Sequence, residues 1–373
     1  MGDGPSAPEP TSEKSRSVDA RATFAAFHQG FELARTRAGK TVERDFRIGG
    51  YLVRMRFAGA SLVAPLTAPF SHLAASGEGE PDLVIGVWDS ASTATELPEG
   101  AGDLEEHHQS AMPGSLAKDG IFSSYSRPDP GLSMLDLGAS QALYWLPDAA
   151  QVPYEDHSAP FRGILNWWMS HHDRQFVHGA AIGTDRGAVL LVGRGGSGKS
   201  TTALSSLIRG MLYVGDDYCL VSMDGAPWAH SLYSTAKLHG RNLARLPELR
   251  EFVVNADRLG SEKGVLLLNN RFSEQIAERL PLVAVVVPEV ALVAIPALKA
   301  CSRAGALAAL APSTLLQLSS ARPLALRTMA DLIRSLPPFS LSLSTDLAAN
   351  ADTLRDLIDR LPSSDASRIA GTT

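Results

Sequence analysis

The chain has 373 residues, 45% of them apolar, and a net charge of −6. That length allows two or three compact units with a sizeable core, and the acidic balance argues against a nucleic-acid-binding face, where phosphate neutralisation needs a basic surplus. Two cysteines, Cys219 and Cys301, exclude a disulfide framework or a thiolate zinc site and fit a reduced, cytoplasmic setting; Cys219 reads as a small core residue. The polar start has no apolar segment of the signal-peptide kind. The longest apolar run, residues 282–298, is interrupted by Pro288, Glu289 and Pro296 and is too short to span a bilayer, so no membrane association is expected.

In chain order, residues 1–17 are rich in Pro, Ser, Gly and Glu and cannot bury enough apolar surface to offset the entropy of ordering, which predicts a disordered tail. An Ala-rich stretch over 17–38, with Phe24, Phe27, Phe31 and Leu33, reads as an amphipathic helix. Phe46 and Ile48 lead to Gly49-Gly50, a hairpin signal. Beyond it Tyr51, Val53, Met55 and Phe57 alternate with Leu52, Arg54 and Arg56, the period of a half-buried strand. Further strands are expected at 82–88, 121–126 and 141–146, with a loop over 90–118. The pair His107-His108 has no third ligand nearby and reads as solvated. A helix over 161–171, packed through Trp167 and Trp168, closes on His171-His172, where cationic or polar groups suit the helix dipole. From about Gln175 strands alternate with helices, the pattern of an α/β fold. The resulting division is a tail at 1–17, a small α+β domain at 18–150, an α/β domain at 151–361 and a polar tail at 362–373.

The chemistry is concentrated in Gly193-x4-Gly198-Lys199-Ser200, a Walker A P-loop. An apolar strand, residues 188–192, precedes it. A helical stretch with Ala203, Leu204, Leu207 and Ile208 follows, ended by Gly210 where a C-cap glycine belongs. Gly193, Gly195, Gly196 and Gly198 permit positive φ and close approach of backbone N–H groups, with that of Ser197, to phosphate oxygens. The helix N-terminus adds its positive end, Lys199 a compact charge, Ser200 a hydroxyl for magnesium, and Thr201 closes the motif. ATP and Mg2+ are the expected cofactors; loop contacts go to phosphates and leave the base open.

Only a few residues after this helix comes Gly215-Asp216-Asp217, between two apolar stretches. Two adjacent carboxylates can divide labour, one holding magnesium and one accepting a proton from an attacking hydroxyl.

The array Val177-His178-Gly179, the P-loop, the turn with Gly210, and Gly215-Asp216-Asp217 resembles the catalytic domain of HPr kinase/phosphorylase. It resembles more closely the HPr-kinase-like proteins of peptide-modification clusters, including lasso-peptide precursor kinases. Phosphoenolpyruvate carboxykinases share the P-loop followed by Gly-Asp-Asp but are much longer chains. The resemblance covers residues 175–225 firmly and extends loosely to about 345. It implies a P-loop kinase domain of the HPr kinase/phosphoenolpyruvate carboxykinase type, with a mixed sheet. It also implies that His178, Lys199, Ser200, Asp216 and Asp217 form the active site, with Asp216 as the base and Asp217 with Ser200 as magnesium ligands. On its own, a strand histidine such as His178 more often sits satisfied in a core. Thr201 stands where the bifunctional enzymes carry an acidic residue, and their glycine-rich signature beyond the aspartates has no clear copy here. Both departures point away from the phosphorylase half-reaction and from HPr as substrate.

Lys237 and Lys263 are candidates to reach a γ-phosphate and stabilise transition-state charge, or are two exposed lysines; Arg241 and Arg271 are weaker candidates, and Arg194 reads as exposed. The remaining segments read as structural: strands at 282–287 and 291–295, helices at 304–318 and 324–336, a strand at 339–343 and a closing helix at 347–361. The expected function is an ATP- and magnesium-dependent kinase acting on a serine-type hydroxyl of a peptide or small protein, such as a ribosomally made precursor peptide. A small-molecule kinase, or a nucleotide-binding regulatory module without phosphotransfer, is the alternative. Oligomeric state is left open.

Overall fold

The computed structural model describes residues 19–99, 119–126, 131–317 and 322–362. Residues 1–18, the pair His107-His108 and the terminal tail from 363 onward lie outside them. The longer helices are α1 (Ala20–Ala38), α2 (Arg162–Ser170), α3 (Lys199–Ile208), α4 (Arg303–Gln317), α5 (Arg322–Ser335) and α6 (Leu347–Arg360). None is both long and apolar enough to cross a membrane.

The first sheet is built from β1 (Thr41–Ile48), β2 (Tyr51–Ala58), β3 (Leu83–Asp89), β4 (Ile121–Ser126), β5 (Gly131–Asp136) and β6 (Gln141–Leu146), in the order β1-β2-β3-β6-β5-β4. β1 and β2 form the expected hairpin, with Ile48 opposite Tyr51 across Gly49 and Gly50, both at positive φ as a two-residue turn of this kind requires. Arg54 and Arg56 point outward and pair across it with Asp45 and Glu43, each at 2.8 Å. The α1 stripe is Phe24, Phe27, Phe31 and Ala34; Leu33 lies off it and is exposed. Strand β5 has no counterpart in the sequence reading. Leu132 and Met134 face α1 while Leu135 faces the opposite core, so its apolar residues mark no single face.

The second sheet holds β7 (Gln175–Val177), β8 (Gly179–Thr184), β9 (Gly187–Val192), β10 (Leu212–Gly215), β11 (Cys219–Ser222), β12 (Trp228–His230), β15 (Arg279–Val293), β16 (Ala297–Ala300) and β17 (Pro338–Ser344). Its main path is β10-β8-β9-β15-β12-β11-β7, with β17 on β15 and β16 on β17. The β9–β15 and β15–β17 pairs are parallel and the others antiparallel. The fold class is thus mixed α/β with mixed sheets. Helices cover both faces: α3 and α6 meet Val189 and Leu191, while α4 and α5 meet Ala188, Leu190 and Val192. A separate ribbon pairs β13 (Thr235–Leu238) with β14 (Gly264–Leu267).

One sequence expectation is corrected here. Residues 282–293 form one strand with Arg279–Pro281, running through Pro288 rather than breaking there, and residues 294–295, expected as strand, lie beyond its end. Beyond Val286 the neighbour β9 has ended, so β15 pairs there with β17 alone, and an open edge tolerates a residue without an N–H.

An aromatic core joins the two sheets. Phe46, Met55, Phe70 and Tyr144 share it with Phe161 and Trp168, and with Phe176, Leu220 and Tyr233. Phe70 is fully buried, with ring centroids 5.5 Å from Phe46, 6.4 Å from Phe161 and 5.2 Å from Tyr233. Polar contacts reinforce the junction: Tyr51 donates its hydroxyl to the His172 carbonyl at 2.8 Å and the Ser234 N–H donates to the Pro69 carbonyl at 2.8 Å. His171 and His172 place Nδ1 2.8 Å from the carbonyls of Trp167 and Trp168, as C-terminal capping groups. Replacing Phe70 with Ala should lower the free energy of unfolding by about 3–5 kcal/mol, measured by urea denaturation followed by tryptophan fluorescence.

Candidate active site

Strand β9 is buried along its whole length and must leave the sheet at its C-terminal end. It does so at Gly193, with φ 148°, and the chain enters α3 through Gly196 and Gly198, at φ 82° and 100°. A Cβ on Gly198 would fall 2.4 Å from Leu343 Cδ1, and one on Gly193 2.9 Å from Ser197 Oγ, so a side chain there would displace a neighbouring side chain in addition to the strain of positive φ. Arg194, Gly195 and Gly196 are exposed at the tip. Lys199 is buried, and its ammonium donates to the carbonyls of Gly193 (2.6 Å) and Arg194 (3.2 Å). Burial lowers its pKa, against the opposing pull of Asp216 and Asp217. Thr201 is buried in the first turn of α3.

Helix α3 ends at Ile208, and Gly210 just beyond it, with φ 79°, reverses the chain into β10. Asp216 and Asp217 follow β10 directly. The Tyr218 N–H donates to the Asp216 carbonyl at 2.8 Å, closing a tight turn in which Asp217 takes φ 68°, a conformation sparsely populated by non-glycine residues. The turn aims the two side chains apart. Asp216 points at α3 and accepts the Ser200 hydroxyl at 3.0 Å. Asp217 lines the cleft, with Oδ1 3.3 Å from His178 Nε2 and Oδ2 3.6 Å from Lys237 Nζ. His178 sits between β7 and β8, with its N–H donated to Thr314 Oγ1 at 3.0 Å.

The two carboxylates differ sharply in ionisation. Burial, then the neighbouring Asp217, raise Asp216 from the ordinary 3.8 to about 7, with Ser200 and Lys199 opposing. Burial also works against Asp217, but the His178 hydrogen bond and the charges of Lys237, His178 and Lys263 outweigh it and hold that carboxyl well below the usual range. The pair therefore titrates unevenly: Asp217 is ionised, and the proton exchanged near neutral pH belongs to Asp216.

The cleft around these groups has a volume of about 1870 Å³. The β13–β14 ribbon supplies two lysines to its wall: Lys237 lies within β13, and Lys263 precedes Gly264, the partner of Leu238. Lys237 is buried and Lys263 half-buried. Arg241 and Arg194 also line the cleft, whereas Arg271 stays outside it and lies over the Phe272 ring. The structure thus brings His178, the loop, Lys199, Ser200, Asp217, Lys237 and Lys263 to one cleft, with Asp216 behind Ser200. Two buried polar atoms here, Ser197 Oγ and Asp216 Oδ2, have no hydrogen-bond partner.

Sequence reasoning missed one wall. Tyr154, Glu155, Arg162 and Tyr218 also line the cleft. Glu155 Oε2 is 2.6 Å from Lys237 Nζ, and Arg162 donates to the Tyr218 hydroxyl at 2.5 Å. The only trace in the sequence is the polar run Tyr154-Glu155-Asp156-His157 after a proline, which carries no ligand spacing.

The raised pKa of Asp216 has a stability consequence. Between pH 3.8 and about 7 the unfolded chain releases a proton that the folded chain keeps, so the contribution is fully present below the unfolded value and is lost as pH rises through the folded one. Asp216→Asn abolishes that loss. Its melting temperature relative to wild type should rise between pH 5 and pH 8 by about 2–4 °C or more, measured by calorimetry with a chelator present.

No family model and no curated protein matches the sequence. Among solved structures, the Hpr(Ser) kinase/phosphatase from Coxiella burnetii aligns with 48% of this chain and 87% of its own, at 13% identity and a TM-score of 0.29. That likeness is too slight to assign a function.

Proposed function

We propose that this chain is an ATP- and magnesium-dependent phosphotransferase that moves the γ-phosphoryl group to a serine-type hydroxyl of a peptide or small protein. The observation that carries the reading is the Ser200–Asp216 hydrogen bond at 3.0 Å, which couples the hydroxyl of a glycine-rich loop to one of two adjacent carboxylates.

The residues suit both expected ligands. The positive-φ loop and the N-terminus of α3 form an anion cradle, and the unpartnered Ser197 Oγ and Asp216 Oδ2 are buried polar atoms of the kind that a bound ligand satisfies. Ser200 and Asp217 would hold magnesium. Among the described residues no group of three or more His, Cys, Asp or Glu side chains is placed to hold a metal by itself; magnesium on a phosphate loop takes few protein ligands and completes its shell with phosphate oxygens and water. When bound, the ion neutralises charge on the phosphates.

In the proposed reaction the loop N–H groups and Lys199 hold the phosphates, and Lys237 and Lys263 face the charge that develops on the transferring group. The acceptor oxygen forms a bond to the γ-phosphorus as the bond to the bridging oxygen breaks. The acceptor proton ends on Asp216, the member of the pair able to take up a proton near pH 7, reached from the cleft through the Ser200 hydroxyl that donates to it. His178 keeps Asp217 oriented and anionic. Arg162, Tyr154 and Tyr218 form the wall against which an acceptor side chain or peptide would rest.

Incubation with γ-labelled ATP, magnesium and serine-containing peptides or small proteins should give labelled phosphoserine. Transfer only to small metabolites would redirect the acceptor assignment, and tight nucleotide binding with no transfer to any acceptor would sink the kinase reading in favour of a regulatory module. Lys199→Ala should lower transfer by at least about 10²-fold. The rate should climb with pH as Asp216 loses its proton and level off above about 7; Asp216→Asn should abolish transfer while still binding nucleotide, as measured by calorimetry. A regulatory module would tolerate Asp216→Asn.

A further inference from the structure

The short turn Tyr154–His157 links the two sheets and is fixed at several points. The Tyr144 hydroxyl, from β6, donates to the Asp156 carboxylate. Tyr154 donates its hydroxyl to the Lys263 carbonyl at 3.1 Å, and Thr235 Oγ1 donates to the Ser158 carbonyl at 2.6 Å. The turn is thereby bound to β6 on one side and to the β13–β14 ribbon on the other, so the position of Glu155 is set by both.

Glu155 uses that position to hold Lys237. The Lys237 side chain is 6% exposed, and its ammonium lies 2.6 Å from Glu155 Oε2, 3.6 Å from Asp217 Oδ2 and 5.2 Å from the Tyr154 ring centroid. A buried ammonium must be paired. Of its two carboxylates, Lys237 is in full contact with Glu155 and only within reach of Asp217. Without the Glu155 charge, the nearest remaining anion is Asp217, and a small rotation of the lysine closes that gap. Asp217 Oδ1 already faces His178 at 3.3 Å. A lysine seated on Oδ2 would occupy the other oxygen and cancel the charge that a divalent cation requires.

We propose that Glu155 is a positioning residue for cation binding: by holding Lys237 it keeps Asp217 Oδ2 free for the metal. This rests on the assignment of Asp217 as the magnesium ligand. Glu155, half exposed at the cleft rim, also lies 3.8 Å from Arg162, but its full contact is with Lys237.

The test uses the full chain with ADP and Mn2+ as the probe ion, free Mn2+ being read by electron paramagnetic resonance. Glu155→Gln should weaken Mn2+ binding about tenfold, the scale on which groups that orient a metal ligand act, while ADP affinity without metal stays unchanged. Adding Lys237→Met to Glu155→Gln removes the competing cation and should bring Mn2+ affinity back to that of Lys237→Met alone. A purely structural role for Glu155 predicts no such rescue. Unchanged Mn2+ affinity in Glu155→Gln, or a double variant as weak as Glu155→Gln, overturns the proposal. A wild-type protein that binds ADP but no Mn2+ overturns the assignment of Asp217 and this proposal with it. Absence of both ADP and Mn2+ binding overturns the functional reading itself.

Discussion

Strand β9 has no exposed residue, and the geometry of the site follows from that constraint. A strand buried on both faces, between an antiparallel and a parallel neighbour, can end only at the sheet's C-terminal edge. Its continuation must turn sharply to avoid carrying unpaired backbone into the core. The glycines at positive φ make that turn, α3 packs back across Val189 and Leu191, and the free N–H groups at the start of α3 face the cleft. Because the chain reverses at Gly210, β10 returns beside β8 and delivers Asp216 next to Ser200 within the same layer.

The site concentrates charge in a place where burial disfavours it. Lys199, Asp216, His178 and Lys237 are all buried, and each meets a neutralising or dipolar neighbour: loop carbonyls, the Ser200 hydroxyl, Asp217 and Glu155 respectively. The outcome is an uneven pair of carboxylates. Asp217 is surrounded by cationic or donating groups and stays ionised; Asp216 has one hydroxyl partner and keeps its proton to about pH 7. Desolvation is common to both, so the difference comes from the partners that the turn at Asp217 selects by sending the side chains in opposite directions.

The first sheet contributes to this arrangement as well as to bulk. Its aromatic core continues into the second sheet through Phe70, Phe161 and Tyr233, and the turn after β6 carries Tyr154 and Glu155 into the cleft. The electrostatic environment of Lys237 is therefore set by a segment that approaches from outside the α/β layers.

The sequence by itself determined what is encoded over short distances. The hairpin at Gly49-Gly50, the outward Arg54 and Arg56, the helix stripe of Phe24, Phe27 and Phe31, and the order strand, glycine loop, helix, paired aspartates are all local patterns. Each follows from backbone sterics or from a period that a few neighbouring residues display. Only the tertiary structure decided that β15 runs on through Pro288, because an open edge arises only when β9 has ended. It alone decided that Ser200 bonds to Asp216 while His178 and Lys237 approach Asp217. Glu155 and Lys237 are 82 residues apart, and no periodicity spans such a gap. Their contact exists because two separately encoded sheets share one core, and the relative placement of two sheets is fixed by packing, which a linear pattern does not carry.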